Sequence, residues 1–173
     1  MKWLRSIADW FLLQYLRNES FQDSKNSTKS GLVALIFSGD HLPEQQIAIE
    51  LSSKIQKEMN LRVYPLAFIN KKLDPNVTFS FPHISLQDVG AKLFPTSKNL
   101  DLFLQRDYDY LLNLDTQNYP ILHYISKKTK ARHKLAINPR LPRLYDVVLR
   151  EQIESGDDTY IEKTLDIFRK TYA

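Results

Sequence analysis

The sequence predicts a Rossmann-like α/β fold of three layers, with a mostly parallel sheet of about five strands and an amphipathic helix in front of it. From residue 31 onward, apolar strand-like segments alternate with segments whose apolar residues recur every three or four positions. The first such segment, GLVALIFS, is apolar throughout, as is typical of a central parallel strand covered on both faces. A chain of 173 residues fits one domain of ordinary size.

The chain divides into a helix at 1–17, a flexible linker at 18–30 and the α/β domain at 31–173. The linker is predicted from its Ser, Asn and Lys content, and the helix from its apolar periodicity. The helix leaves three interpretations open: it folds back over its own sheet, docks on a partner protein, or lies on a membrane surface. The large apolar residues of its stripe are Trp3, Leu4, Ile7, Trp10, Phe11 and Tyr15.

The first half of the domain predicts one helix and two further strands. Apolar residues at every fourth position of 47–59 predict a helix that packs one stripe on the sheet. Residues 61–69 predict the second strand, in which Pro65 favours an edge position, a bulge or a later start. Alternation at 77–81 predicts a short third strand, and 85–96 reads as irregular.

The second half continues the alternation of helix and strand. Residues 100–104 predict a helix, and DYDYLLNLD at 107–115 predicts the fourth strand. Pro120 marks the start of the next helix, with Asn118 as its N-cap, and KLAI at 134–137 predicts the fifth strand. The remaining predicted elements are a loop at 138–143, a short strand at 145–149 and a helix over 161–172.

Composition excludes several kinds of site. The chain has no cysteine, which excludes disulfides and thiolate metal sites and fits a reducing compartment. Its four histidines lack the paired spacing of metal ligands, so we expect neither a metal nor a cofactor. There is no apolar run of about 18 residues, the length that would span a bilayer. Asp9 interrupts the N-terminal apolar stretch, no small-residue cleavage site follows it, and we expect a cytoplasmic protein.

Polar residues follow two of the predicted strands. Asp40 and His41 come after the first strand, and Asp115 ends the fourth. In an open parallel sheet, ligands bind beyond the carboxyl ends of the strands where the strand order reverses, so these residues are candidates for acid or base chemistry. The alternative is that the carboxylates cap the following helices and the histidine is a solvated turn residue. The first loop has a single glycine, which excludes the dinucleotide and Walker motifs.

Seven basic residues stand between Asp115 and Asp146, a stretch without any acidic residue. The net charge of the whole chain is +4, so this basic segment accounts for the excess of positive charge. It favours an anionic partner such as RNA, a ribonucleoprotein, a lipid surface or an acidic protein face. The alternative is a solvated face whose cations stabilise helix C-termini. The seven residues are Lys127, Lys128, Lys130, Arg132, Lys134, Arg140 and Arg143.

Two stretches carry a family resemblance. With the short helical lead-in, SGLVALIFSGD and YDYLLNLDTQNYPILHYISKKTKARHKLAI resemble an uncharacterised family of small proteins common in Bacteroidetes, which has no established activity. The second stretch is also similar to the N-terminal half of heptosyltransferase-like glycosyltransferases, where a strand ending in Asp precedes a helix and a basic strand end. That resemblance implies that Asp40 lies near the catalytic acidic position of the first loop. It also implies a second Rossmann domain for the nucleotide sugar, and we expect the chain to stop where that domain would begin.

These patterns together favour a binding or adaptor protein over an enzyme. In this interpretation the basic segment contacts RNA or a ribonucleoprotein, and the N-terminal helix contacts a protein partner. One alternative is a glycosyltransferase-like or nucleotide-using half-domain with Asp40, His41 and Asp115 at its site. Another is a peripheral membrane protein attached through the N-terminal helix.

Overall fold

The computed structural model describes residues 2–18, 30–74, 76–89, 94–150 and 158–172, and for 2–8, 158–160, 171 and 172 only the backbone. The strands are β1 (Leu32–Ser38), β2 (Arg62–Ile69), β3 (His83–Ser85), β4 (Asp107–Asn113), β5 (Lys130–Ile137) and β6 (Val147–Leu149). The helices are α1 (Lys2–Asn18), α2 (Leu42–Met59), α3 (Leu86–Val89), α4 (Lys98–Leu104), α5 (Pro120–Lys128), α6 (Asp158–Tyr172) and a 3₁₀ helix (Pro142–Leu144).

The six described strands run parallel in one sheet of order β3-β2-β1-β4-β5-β6. This is the strand order of the doubly wound Rossmann fold, in which the chain starts at the centre and later adds strands on the other side of β1. The predicted fold class is confirmed, with six strands where about five were expected. Because crossovers are right-handed, reversing the direction of strand addition puts the helices of the two halves on opposite faces.

Helices cover both faces of the sheet. On one face, α2 and α6 bury Leu51, Leu165 and Phe168 completely. On the other face, α1, α4, α5 and the 3₁₀ helix form a second cluster that includes Leu16 and Leu122. Complete burial of a side chain of this size stabilises the fold by about 1.5–3 kcal/mol relative to exposure. Both helical layers are therefore held to the sheet by apolar contact.

Pro65 lies inside β2 without disrupting the sheet. β2 pairs with β1 along its length but with β3 only from Ala67 onward. The Ala67 N–H donates toward β3, to the carbonyl of Pro82 at 3.0 Å. The backbone N of Pro65 is directed to the same side of β2, at a level where β3 has not yet begun. Because there is no acceptor strand at this level, the missing N–H of proline costs no hydrogen bond of the sheet. The edge position predicted for this residue holds only locally, because β2 as a whole is an interior strand.

The third strand predicted at 77–81 is wrong. Pairing with β2 begins only at β3, after Pro82. Phe81 nevertheless belongs to the core: it is 7% exposed, and its ring centroid lies 5.2 Å from that of Phe37. Val77, by contrast, is 46% exposed, so the alternation of apolar residues corresponds neither to a strand nor to a continuously buried face. The stretch 85–96, predicted as irregular, contains the short helix α3.

The N-terminal helix α1 packs on α5. Leu12, Leu13 and Leu16 are buried in the same cluster as the apolar side chains of α5. The guanidinium of Arg143, in the 3₁₀ helix, donates to the carbonyl of Leu16 at 3.4 Å. The packed face therefore differs from the stripe read in the sequence. Of the predicted linker, 19–29 lies outside the described residues.

Candidate functional site

The switch point of the sheet lies between β1 and β4, where a loop leaves the carboxyl end of each strand. Gly39, in the loop after β1, donates its N–H to the carbonyl of Phe68 at 2.8 Å. A Cβ at this position would lie 3.1 Å from Cβ of Ala67 and 3.2 Å from Cγ1 of Ile69. The glycine therefore allows the loop to approach the end of β2 closely, which is a packing function.

Asp40 connects three loops at this end of the sheet. Its Oδ1 accepts the backbone N–H of Asn70 at 2.7 Å, and its Oδ2 accepts the hydroxyl of Tyr119 at 2.7 Å. Asn70 follows β2 and Tyr119 precedes α5, so the carboxylate bridges the ends of β1, β2 and β4. Burial and the bond to Asp40 raise the pKa of Tyr119 to about 12, so the phenol keeps its proton and remains a donor at neutral pH.

Asp115 contacts the same tyrosine through its backbone. Its Oδ2 accepts the N–H of Tyr119 at 2.6 Å and its Oδ1 accepts that of Gln117 at 2.9 Å. Asp115 is 2% exposed, and this burial raises its pKa to about 7. The two backbone hydrogen bonds lower the pKa, and the nearby Glu44 carboxylate raises it. The predicted N-cap, Asn118, is wrong: it adopts a left-handed φ of 57°, and the N-cap position of α5 falls on Tyr119, whose side chain makes no capping hydrogen bond.

The structure thus brings Asp40 and Asp115 together, because both accept hydrogen bonds from Tyr119, whereas His41 takes no part in these bonds. His41 is exposed at the N-cap position of α2, and its side chain makes no capping hydrogen bond. Both carboxylates already accept backbone or hydroxyl donors, so their observed function is to fix the loops around the switch point. Asp115 in addition exchanges a proton near neutral pH, which is the chemical capacity that the site retains.

Two residues of the basic segment stabilise helix ends. Lys134 extends its Nζ to the carbonyls of Ser126 and Lys127, at 2.7 and 3.3 Å, in the last turns of α5. Burial lowers the pKa of Lys134 to about 8. Arg143 acts similarly on α1 through the carbonyl of Leu16. A cation at a helix C-terminus interacts favourably with the carbonyls and the helix dipole, as the alternative interpretation of this segment expects.

Lys127 and Lys128, in the last turn of α5, lie beside α1. The Nζ of each is 5.5 Å from the ring centroid of Tyr15, and that of Lys128 is 5.9 Å from the ring of Tyr124. Cationic side chains, exposed except for the half-buried Lys127, thus gather where the C-terminal ends of α1 and α5 meet. We call this group the α1–α5 basic surface; its members are Arg17, Lys127, Lys128 and Arg143.

The other basic residues lie elsewhere. Lys130 begins β5, is exposed, and lies 3.9 Å from Asp107 on β4. Arg132, two residues further, is half-buried, and its Nε has no hydrogen-bond partner among the described residues. Arg140 follows the opposite end of β5, where its N–H donates to Oδ1 of Asn118 at 2.5 Å. The seven residues therefore do not form one continuous patch.

The outer face of α1 carries two aromatic side chains. Trp10 and Phe11 are 55% and 52% exposed, and their ring centroids lie 5.0 Å apart in an edge-to-face arrangement. Tyr15 instead is half-buried against Phe94, with ring centroids 5.3 Å apart. Three residues of the predicted stripe lie outside the described side chains: Trp3, Leu4 and Ile7.

Comparison with known proteins gives one match. A family model matches residues 5–166, and its description is "Family of unknown function (DUF6913)". The chain belongs to the DUF6913 family. The predicted membership of a family without established activity is therefore confirmed. No curated protein and no solved structure matches the chain. The matched range includes the switch-point residues, the basic segment and most of α1.

A buried polar network in the DUF6913 domain was not predicted. The hydroxyl of Tyr145 accepts Nδ2 of Asn113 at 2.7 Å, lies 2.8 Å from Nδ1 of His123 and donates to Oγ of Ser126 at 3.0 Å. Nε2 of His123 is buried without a hydrogen-bond partner among the described residues. Burial, with the charge of Arg140, lowers the pKa of His123 to about 4, so the ring is neutral at pH 7. The network fixes the segment after β5 on α5.

Asp109 is a second group that sequence reasoning missed. It is 4% exposed, and its oxygens accept the N–H of Ser30 at 2.9 and 3.0 Å and that of Gly31 at 2.7 Å. Gly31 has a φ of 68°, a conformation that glycine adopts without strain. The carboxylate thereby anchors the start of β1 to β4. The available signal was an acidic residue inside an otherwise apolar strand.

No described helix is long and apolar enough to cross a membrane. Within the same residues, no three His, Cys, Asp or Glu side chains are grouped so as to hold a metal ion. The candidate surfaces of the described chain are therefore the switch point, the α1–α5 basic surface and the aromatic pair on α1.

Proposed function

We propose that this DUF6913 protein binds RNA, alone or within a ribonucleoprotein, through the α1–α5 basic surface. The observation that carries the proposal is the arrangement of cations and aromatic rings at two adjacent helix ends. The ammonium groups of Lys127 and Lys128 lie over Tyr15, and Arg143 reaches the last turn of α1. Lysine and arginine hold phosphates and aromatic rings stack on bases, so the combination suits RNA.

The distribution of charge between the two faces of the sheet supports this proposal. On the face of α2 and α6, cations lie beside carboxylates: Nζ of Lys54 is 2.6 Å from Glu162, and Arg169 contacts Glu58. On the opposite face, α5 ends in two lysines and contains no acidic residue. The basic charge at this end of α5 attracts a polyanion and accelerates association.

The proposed surface is narrower than the basic segment. Lys134 is excluded because its ammonium is directed to the carbonyls of α5, and Arg140 because it lies at the other end of β5. Arg143 is retained: it is exposed, and a guanidinium has five N–H donors, so the bond to Leu16 leaves capacity for a phosphate. Lys130 and Arg132 lie on β5, outside this surface.

The proposal is tested by charge reversal on the full chain. A double variant, Lys127→Glu with Lys128→Glu, should weaken binding of a labelled single-stranded RNA of about 12 nucleotides, measured by fluorescence anisotropy. The loss of two phosphate contacts should also make the negative slope of log K against log salt less steep by about 1.4. The matched control reverses Lys57 and Lys170, which are exposed on α2 and α6, and changes the net charge equally.

The outcomes distinguish RNA binding at the α1–α5 basic surface from attraction of RNA by the net charge of the protein. The proposal requires that the Lys127 and Lys128 variant lose at least tenfold in affinity, about 1.4 kcal/mol, while the control retains nearly all of it. Equal losses in both variants would mean that binding follows net charge alone. Absence of RNA binding by the unaltered chain at low salt would refute the proposal outright.

A second candidate function rests on the switch point. Asp115 is a buried carboxyl with a pKa near 7 at the place where Rossmann folds bind ligands, which is a recognised sign of acid or base function. In this alternative, Asp40, His41 and Asp115 belong to a glycosyltransferase-like or nucleotide-using enzyme that needs a second domain. The bonds of Asp40 and Asp115 to Tyr119 favour a structural function of these carboxylates. A thermal-shift screen with nucleotides and nucleotide sugars decides between the structural and the enzymatic interpretation.

A further inference from the structure

The aromatic pair on α1 has no function in packing the fold. The neighbouring Leu12, Leu13 and Leu16 are buried against α5, whereas Trp10 and Phe11 are each more than half exposed. Their ring centroids lie 5.0 Å apart in an edge-to-face arrangement. Two large aromatic side chains side by side on a surface indicate a contact site for a partner.

This pair adjoins the α1–α5 basic surface. Phe11 is one helical turn before Tyr15, whose ring faces the ammonium groups of Lys127 and Lys128. Arg17 lies two turns after Trp10 on the same helix and is exposed, as Trp10 is. Aromatic rings and cations therefore follow one another along α1 toward its C-terminal end. Their order suits a chain that carries bases and phosphates in alternation.

We infer that Trp10 and Phe11 stack on unpaired bases, so that the RNA partner is single-stranded. This inference rests on the proposed function, and it names the kind of RNA that the same surface recognises. A base can stack on a protein ring only when it is not paired within a duplex, whereas phosphates are available in both forms. The cations then supply affinity for either form, and the aromatic pair supplies the preference for single strands.

An RNA strand fits these observations better than a membrane surface does. An interfacial helix inserts a broad apolar face between lipid head groups. In α1 the leucines that would form such a face are buried against α5. Gln14 and Arg17 follow Trp10 and Phe11 on the outer side, so little apolar surface remains for insertion. The charge complementarity with phosphate remains.

The experiment compares two double variants of the full chain on two RNA probes. The first variant is Trp10→Ala with Phe11→Ala. The control is Leu42→Ala with Ile49→Ala, which removes from α2 two apolar side chains that are also more than half exposed. Each is titrated with a labelled single strand of about 12 nucleotides and with a blunt duplex of the same length. Flotation with vesicles of phosphatidylcholine and phosphatidylglycerol serves as the lipid probe.

The Trp10 and Phe11 variant should lose about 10-fold to 100-fold in affinity for the single strand, the usual effect of removing a stacking platform. Its affinity for the duplex and its salt slope should stay as in the unaltered chain, and the control should resemble the unaltered chain throughout. A single-strand affinity that does not change would overturn the stacking inference while leaving the proposed function intact. If no RNA binds, both fail, and vesicle binding lost in this variant would instead identify a lipid surface.

Discussion

A single buried carboxylate at each end of β4 organises the backbone around it. Asp109 accepts N–H groups from Ser30 and Gly31 at the amino end of the sheet, and Asp115 accepts those of Gln117 and Tyr119 at the carboxyl end. Buried backbone donors need partners, and a charged acceptor gives the stronger bond. The two residues are therefore structural anchors at the scale of individual hydrogen bonds.

Replacing Asp109 tests the first anchor. Asp109→Ala leaves the Ser30 and Gly31 donors without their acceptor and should lower the free energy of unfolding by about 3 kcal/mol, measured by urea denaturation. Asp107→Ala is the control, because Asp107 is exposed and its pairing with Lys130 contributes under about 1 kcal/mol. Equal stability of the two variants would show that the bonds to Asp109 do not stabilise the native state.

Replacing Asp115 tests the second anchor through its pKa. The folded protein keeps the proton of Asp115 up to about pH 7, whereas the unfolded chain releases it near pH 3.8. Between these values the folded state binds more protons, so the free energy of unfolding falls as pH rises. Asp115→Asn removes this dependence. As pH rises from about 4 to about 7, the free energy of unfolding of the variant should therefore increase relative to that of the unaltered chain by up to about 4 kcal/mol.

The comparison is made by urea denaturation at several pH values, with Asp107→Asn as the control. His123, whose pKa is lowered to about 4, titrates in the same range with the opposite sign, but it is present in every protein and cancels in the difference. A constant difference between the Asp115→Asn variant and the unaltered chain would show that Asp115 titrates normally.

At the scale of elements, the position of α1 is the main departure from the sequence-based prediction. The segment WFLLQYL at 10–16 is apolar on almost every side, so periodicity does not identify the packing face. The buried residues are leucines, whose side chains fit between α1 and α5, and Trp10 and Phe11 remain outside. Tertiary contact with α5 selects the face, and no local pattern contains that information.

The packing of α1 gives an element-scale prediction. Leu16 is fully buried between α1 and α5, so Leu16→Ala should lower the free energy of unfolding by about 3 kcal/mol through lost contact and a cavity. Phe11→Ala is the matched control on the same helix and should change it by under about 0.5 kcal/mol. If both variants unfold like the unaltered chain, α1 does not fold cooperatively with the domain.

Other elements show which patterns are reliable. Residues 31–38 and 107–115 were predicted with nearly the observed bounds, because continuous apolar runs have few alternative structures. The four-residue period of 47–59 identified α2 and its end, but the helix begins earlier, at Leu42. Residues 77–81 were misassigned because their apolar residues alternate without forming a strand: Val77 is exposed, and Phe81 is buried. The N-cap of α5 was misassigned because Asn118 adopts a left-handed backbone conformation and the N-cap position falls on Tyr119. Long-range and loop contacts are thus what local patterns miss.

At the scale of the whole molecule, the strand order follows from the alternation of strand and helix, and the switch point follows from the order. The sequence did not predict which groups the side chains at the switch point contact. Gly39 is packed against β2, and the carboxylates of Asp40 and Asp115 accept donors from the protein itself. The topology provides a ligand position, and the side chains use it to connect the loops of the sheet.

This difference leads to a prediction about ligands of the whole domain. Nucleotides and nucleotide sugars should leave the melting temperature unchanged, because a ligand at the switch point must displace Tyr119 from Asp40 before it gains contacts of its own. A ligand present at 100 times its dissociation constant would add about 2.7 kcal/mol, a rise of about 5–10 °C for a domain of this size. Single-stranded RNA in the same excess is the control and should raise the melting temperature, since its proposed surface lies on α1 and α5. A rise with a nucleotide that is abolished by Asp40→Asn, and no rise with RNA, would assign the function to the switch point.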